Sequence, residues 1–160
     1  MKRPYERIAT GLHAAGDRRQ RMRALADALW DGLKDHGISW VGFYLHQGGS
    51  ELLLGPHRDK PACSPIGMHG ACGRAFRERR PLIVRDVAAL GADYIACDPR
   101  DRSELVIPLL EPDGNCVGVL DLDSHQRGAF DESDLHALLT LLRAAGLLPP
   151  ALPAPAPIVV

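Results

Sequence analysis

No Cys-x-x-Cys pair occurs in the sequence, and its four cysteines, Cys63, Cys72, Cys97 and Cys116, are too few and too scattered to staple a disulfide-framed miniature fold or to suggest zinc. The histidines show no His-x-x-x-His or similar ligand spacing, so no metal is expected. An excess of charge of one sign is also missing. The net charge is −1, from 19 Lys and Arg against 20 Asp and Glu with both signs scattered. That excludes the one-sided basic surface that nucleic acid or an anionic membrane demands. No apolar run approaches the ~20 residues of a membrane span, and the opening "MKRPYERIAT" lacks the apolar stretch of a secretion signal. A cytoplasmic protein is the expectation. The glycines of "GMHGACG" (67–73) have no Lys-Ser/Thr ending and no strong strand before them, so they make no phosphate loop.

What is present is a chain of 160 residues, the length of one domain. From Asp17 to His36, Met22, Leu25, Ala26, Leu29, Trp30 and Leu33 recur at three- and four-residue steps, which predicts a helix with one buried face, capped by Asp17 and ended by Gly37. The period then changes to that of a hairpin, "SWVGFYLH" (39–46) and "ELLLGP" (51–56) around "QGGS". Cys63 lies between Pro61 and Pro65 on an irregular or edge segment. A short helix follows with Cys72, Ala75 and Phe76 on one side, then a strand at 81–87 and a loop to residue 103. The strands "ELVIPLL" (104–110) and "CVGVLDLD" (116–123) are joined by the Asp-Gly turn of "EPDGN". Asp131 and Asp134 cap a last helix that buries Leu135, Leu138, Leu139 and Leu142. The order predicts an α+β domain with an antiparallel sheet over residues 1–147, followed by a Pro/Ala-rich tail at 148–160 that is extended or disordered.

Side chains alternate faces along "VLDLDS" (119–124), so Asp121 and Asp123 share one face, and Glu104 opens the partner strand near them. Three carboxylates held together repel one another; one gains a raised pKa or takes a cationic ligand, and an α-amino group would serve. The plain alternative is a wet, solvated sheet face. Among the thiols, Cys116 reads as a buried filler at the head of an apolar strand, whereas Cys97 lies in a polar loop with Asp98, Pro99 and Arg100. Cys72 near a helix start is either a favoured thiolate or packing beside Ala75 and Phe76. Trp40 and Tyr44 fall on one strand face, an arrangement more common in a core than in a ligand wall.

Taken in order, "WVGFYL", "LGPHRDKPAC", "GMHGACG", "YIACD", "SELVIPL" and "GVLDLDS", from Ile38 to Leu139, resemble the free methionine-(R)-sulfoxide reductases, which are stand-alone GAF-type domains. The resemblance implies a single GAF-like domain with a six-stranded antiparallel sheet flanked by helices, commonly dimeric. It implies reduction of free L-methionine-(R)-sulfoxide to methionine without metal or organic cofactor, with thioredoxin as final reductant. By that resemblance Cys97 is the nucleophile, Cys63 the usual resolving thiol and Cys72 an additional family cysteine. Glu104, Asp121 and Asp123 match the family's acids, and Trp40 with Tyr44 its aromatic wall.

A thiolate that attacks sulfoxide sulfur leaves negative charge on oxygen, so Glu104 and Asp123 are expected as proton donors. The same acids suit the substrate's ammonium, a group that a methionine inside a peptide lacks. Two other readings share the fold: a small-molecule sensor that binds without turnover, and a redox switch using Cys63 and Cys97. The cysteine set favours the enzyme.

Overall fold

Asp17 caps helix α2 (Arg18–Leu33) by accepting the Gln20 N–H at 2.8 Å, while the Gln20 side chain accepts the Asp17 N–H at 2.8 Å. The helix buries Met22, Leu25, Ala26, Leu29 and Leu33, as its spacing predicts, and Trp30 is only half-buried at the edge of that face. The computed structural model describes residues 2–59 and 61–160. Ahead of α2 stands a short helix, α1 (Tyr5–Gly11), which the sequence did not announce.

The predicted hairpin is β1 (Trp40–His46) with β2 (Glu51–Arg58), followed by the two-residue β3 (Ile66–Gly67) and helix α3 (Ala71–Glu78). Then come β4 (Leu82–Val84), a kinked 3-10 segment at Val87–Asp93, the hairpin β5 (Ser103–Leu110) with β6 (Cys116–Ser124), and α4 (Glu132–Ala144). Asp131 caps α4 as expected, accepting from the N–H groups of Ser133 and Asp134. A final strand, β7 (Ile158–Val159), completes one sheet in the order β3-β2-β1-β6-β5-β4-β7.

Seven strands therefore replace the expected six, and the last pair, β4 with β7, is parallel while the others are antiparallel. The cause lies in the tail. Its Pro/Ala run hides three β-branched residues at its end, and these find the open edge of β4. The Ile158 and Val160 N–H groups donate to Pro81 and Ile83 carbonyls at 2.8 and 2.9 Å, and the Arg85 N–H donates to the Val160 carbonyl at 2.7 Å.

Strand alternation divides the interior in two. Val41, Phe43, Leu105, Ile107, Leu120 and Leu122 face α2 and α4 in the main core. Trp40, Tyr44, Val106 and Val119 face the other way, under α3 and the loops that carry Cys63 and Cys97. No helix of the described residues is long and apolar enough to cross a membrane.

The main core is closed at one end by a buried ion pair. Asp134 accepts from Arg3 Nη1 and from the Tyr5 hydroxyl, each at 2.7 Å, and Arg3 Nε also donates to the His36 carbonyl at 3.2 Å. Removing one partner of a buried pair leaves an uncompensated charge, at a cost of about 3–5 kcal/mol. Asp134→Ala is expected to lower the stability of the chain by that amount. Equilibrium urea unfolding measures it, and an unchanged midpoint would show that the pair is idle.

Candidate active site

The two hairpins place the acids in a row. Across β1, β6 and β5, Trp40 stands opposite Asp123 and Asp123 opposite Glu104, while one step along Asp121 lies between Gly42 and Val106. Trp40, Asp121, Asp123 and Glu104 line one pocket together with Tyr44, Cys72 and Cys97. The wet-face alternative is overturned, because Glu104 and Asp121 are each only 5% exposed. The loops over this face of the sheet remove the water that an uncovered antiparallel sheet would keep.

Burial sets the chemistry of these carboxyls. Desolvation, followed by the charge of Asp121, pushes Glu104 well above the ordinary carboxyl range, and Asp123 rises for the same two causes in the same order. Burial lifts Asp121 to about 7, even though hydrogen bonds with the Cys72 thiol and Glu104 pull it down. Raising a carboxyl's pKa in this way moves it toward the range in which general acids work near neutral pH. Asp121 Oδ1 and Trp40 Nε1 are both buried and have no hydrogen-bond partner. Unpaired buried polar atoms are costly, so both mark places where a polar ligand gains binding energy.

The aromatic wall is divided in its work. The Trp40 ring stacks between Tyr44 and His57, with centroids 5.8 and 5.9 Å away, and a Cβ at position 42 would come within 2.4 Å of that ring, so only glycine leaves it room. The Tyr44 hydroxyl donates to the Cys63 carbonyl at 2.8 Å and so ties down the cysteine's loop.

Above the acids, Cys63 and Cys97 are joined in a disulfide, with Cα atoms 5.5 Å apart. Cys72 and Cys116 are free and buried. Cys72, near the N-terminus of α3, points at Glu104 and Asp121, with one ligand atom of each within 4.8 Å of the others. Burial, and then the charges of Asp121, Glu104 and Asp123, raise its thiol far above the ordinary range. Burial and the neighbouring acids thus work against the thiolate that a helix start would favour. Cys116 lies at the far end of β6 and donates to the Gly118 carbonyl at 3.2 Å, a packing role as expected.

A polar network that reaches the pocket through Asp101 was not foreseen. Asp98, next to Cys97, accepts Arg100 Nε and Nη2 at 3.0 and 2.9 Å, and His125 Nε2 lies 3.2 Å from it. Asp101 accepts the Ser39 hydroxyl at 2.8 Å and lies 3.5 Å from His125. Hydrogen bonds from Arg100 hold the Asp98 carboxyl well below its usual range despite burial. The network joins three neighbours of site residues: Asp98 beside Cys97, Ser39 beside Trp40, and His125 just beyond Asp123. Sequence reading saw Asp98 and Arg100 only as charges near a thiol. Tyr94 and Ile95, which also line the pocket, entered the sequence reading only as the start of the "YIACD" motif and were given no role.

A family model described as "GAF domain" matches residues 15–148. A curated relative, GAF domain-containing protein A of Dictyostelium discoideum, is 42% identical over 105 residues, 65% of this chain and 65% of its own length. The free methionine-R-sulfoxide reductase of Escherichia coli (strain K12) is 38% identical over 116 residues, covering 71% of this chain and 67% of the relative. The chain thus spans about two thirds of the length of both. Among solved structures, the free methionine-R-sulfoxide reductase of Neisseria meningitidis in complex with its substrate superposes with a TM-score of 0.77. It shows 35% identity over 88% of this chain and 83% of the other.

Proposed function

The chain belongs to the GAF-domain family and has free methionine-R-sulfoxide reductases among its relatives; from that premise we propose that it reduces free L-methionine-(R)-sulfoxide to methionine. The observation that supports this most is the alignment of a bridged cysteine pair over a cluster of three carboxyls whose pKa values burial raises.

In the reduced chain, the Cys97 thiolate attacks the sulfoxide sulfur. Negative charge gathers on the sulfoxide oxygen, and Glu104 or Asp123 delivers a proton to it. The protonated oxygen passes from the substrate sulfur to Cys97 Sγ as the transient sulfur–sulfur bond breaks, so methionine leaves and Cys97 is left as a sulfenic acid. The Cys63 thiol then displaces the hydroxyl, which departs as water, and the disulfide forms. One sulfoxide and two thiols thus give one sulfide, one disulfide and one water. An external dithiol reopens the bridge by exchange, and thioredoxin fills that part in the reading proposed here. Trp40 packs against the substrate's methyl end. The acids hold its ammonium, which restricts the enzyme to the free amino acid. A cytoplasmic place and a pair of chains belong to the same reading, and sizing by light scattering checks the second.

The direct test supplies the reduced chain with free L-methionine-(R)-sulfoxide, thioredoxin and its reductase, and measures methionine. A sensor would bind the sulfoxide and release no methionine. Cys63→Ser is expected to make one methionine per chain quickly and then stall with thioredoxin, because the sulfenic acid has lost its partner. Undiminished cycling in that variant would make Cys72 the resolving thiol.

A further inference from the structure

We infer that Cys72, Glu104 and Asp121 form a binding site for a soft divalent cation, zinc above all. The three come from α3, β5 and β6, so their placement depends on packed elements rather than on a mobile loop. One ligand atom of each lies within 4.8 Å of the other two, and the residues are 6%, 5% and 5% exposed. Bonds of ~2.3 Å to sulfur and ~2.0–2.2 Å to oxygen place tetrahedral zinc ligands roughly 3.5 Å apart, so modest side-chain rotation closes the set.

A second observation points to a ligand here. Asp121 Oδ1 is buried, lines the pocket and has no partner. The open space of the pocket is about 40 Å³. That is room for an ion with a water or two, since a single water needs ~10–15 Å³ on this measure. A dication compensates a thiolate beside two carboxylates more fully than a monovalent ammonium does, and the thiol's proton passes to solvent as the ion binds. The thiolate selects for zinc over magnesium or calcium, which prefer all-oxygen cages. Sequence spacing gave no hint of this site, because metal motifs bring their ligands from neighbouring positions and this one draws on three separate elements.

The site stands on this geometry and not on the reductase reading, so its test reads binding rather than turnover. In the oxidised chain, Cys72 and Cys116 are the free thiols. Titration with Co²⁺ is expected to show one equivalent bound with a thiolate-to-metal charge-transfer band, displaced by Zn²⁺ and not by excess Mg²⁺. Cys72→Ser should abolish the band, and Asp121→Asn should weaken binding at least about tenfold, the least that even a ligand's supporting partner contributes. Cys116→Ser should change neither. A chain that takes up no Co²⁺, or whose band survives Cys72→Ser, overturns the proposal. Should Cys72→Ser fail to fold by circular dichroism, Glu104→Gln decides it, and unchanged affinity in that variant overturns the site equally.

Discussion

Cys97→Ser is expected to bring sulfoxide reduction to background while the fold persists. The thiolate is the attacking species, and a serine hydroxyl is almost wholly protonated at neutral pH and far less nucleophilic. Removing a lone nucleophile has cost about 10⁶-fold in a serine protease, which sets the scale of the loss. The exchange is conservative in size, and Cys97 is half-buried in a loop whose anchors, the Asp98, Arg100 and His125 contacts, do not involve its sulfur. The variant should therefore unfold near the wild type once the latter's disulfide is reduced. Methionine release under single-turnover conditions is the measurement. Near-normal release would remove Cys97 from the mechanism, whatever the other cysteines do.

Glu104→Gln and Asp123→Asn are each expected to reduce turnover by at least about 10²-fold. General acid catalysis contributes typically ~10²–10⁴-fold, and the amides keep size and hydrogen bonding while losing the proton and the charge. Asp121→Asn should cost less, since its task is to hold its neighbours in place. Stability separates this from a folding defect. The folded pKa of each acid lies above its unfolded value, so the folded state holds the extra proton. Stability then falls as pH rises from the unfolded value through the folded one. At pH 8 the amide variants escape that penalty and should melt no lower than the wild type. Loss of activity at equal or higher melting temperature supports the assignment; unimpaired rates leave the pocket without its acids.

The period-two and period-three-to-four patterns were enough to place α2, both hairpins and α4, because each buries one face and the alternation fixes which. The same alternation brought Asp121 and Asp123 to one face and Glu104 opposite, as the register confirms. What it could not supply was cover. Whether that face met water depended on loops without periodicity and on where α3 docks, so the burial that changes the acids' chemistry was invisible. The Asp98, Asp101 and His125 network was hidden for a related reason: its members sit at the ends of different elements and meet only after the sheet has formed. Cys72 was left undecided between thiolate and packing, because neither the burial that raises its pKa nor the acids beneath it, contributed by distant strands, shows in its local sequence.

Strand β7 carries one more consequence. Without it, β4 would end the sheet with the Pro81 and Ile83 carbonyls and the Arg85 N–H facing outward beside the fully buried run Leu82, Ile83 and Val84. An apolar edge with unsatisfied backbone groups is a template on which another chain can add a strand, the first step of self-association through edges. By occupying that edge from its own chain, the Ile158–Val160 segment acts as a guard against oligomers that grow by strand addition.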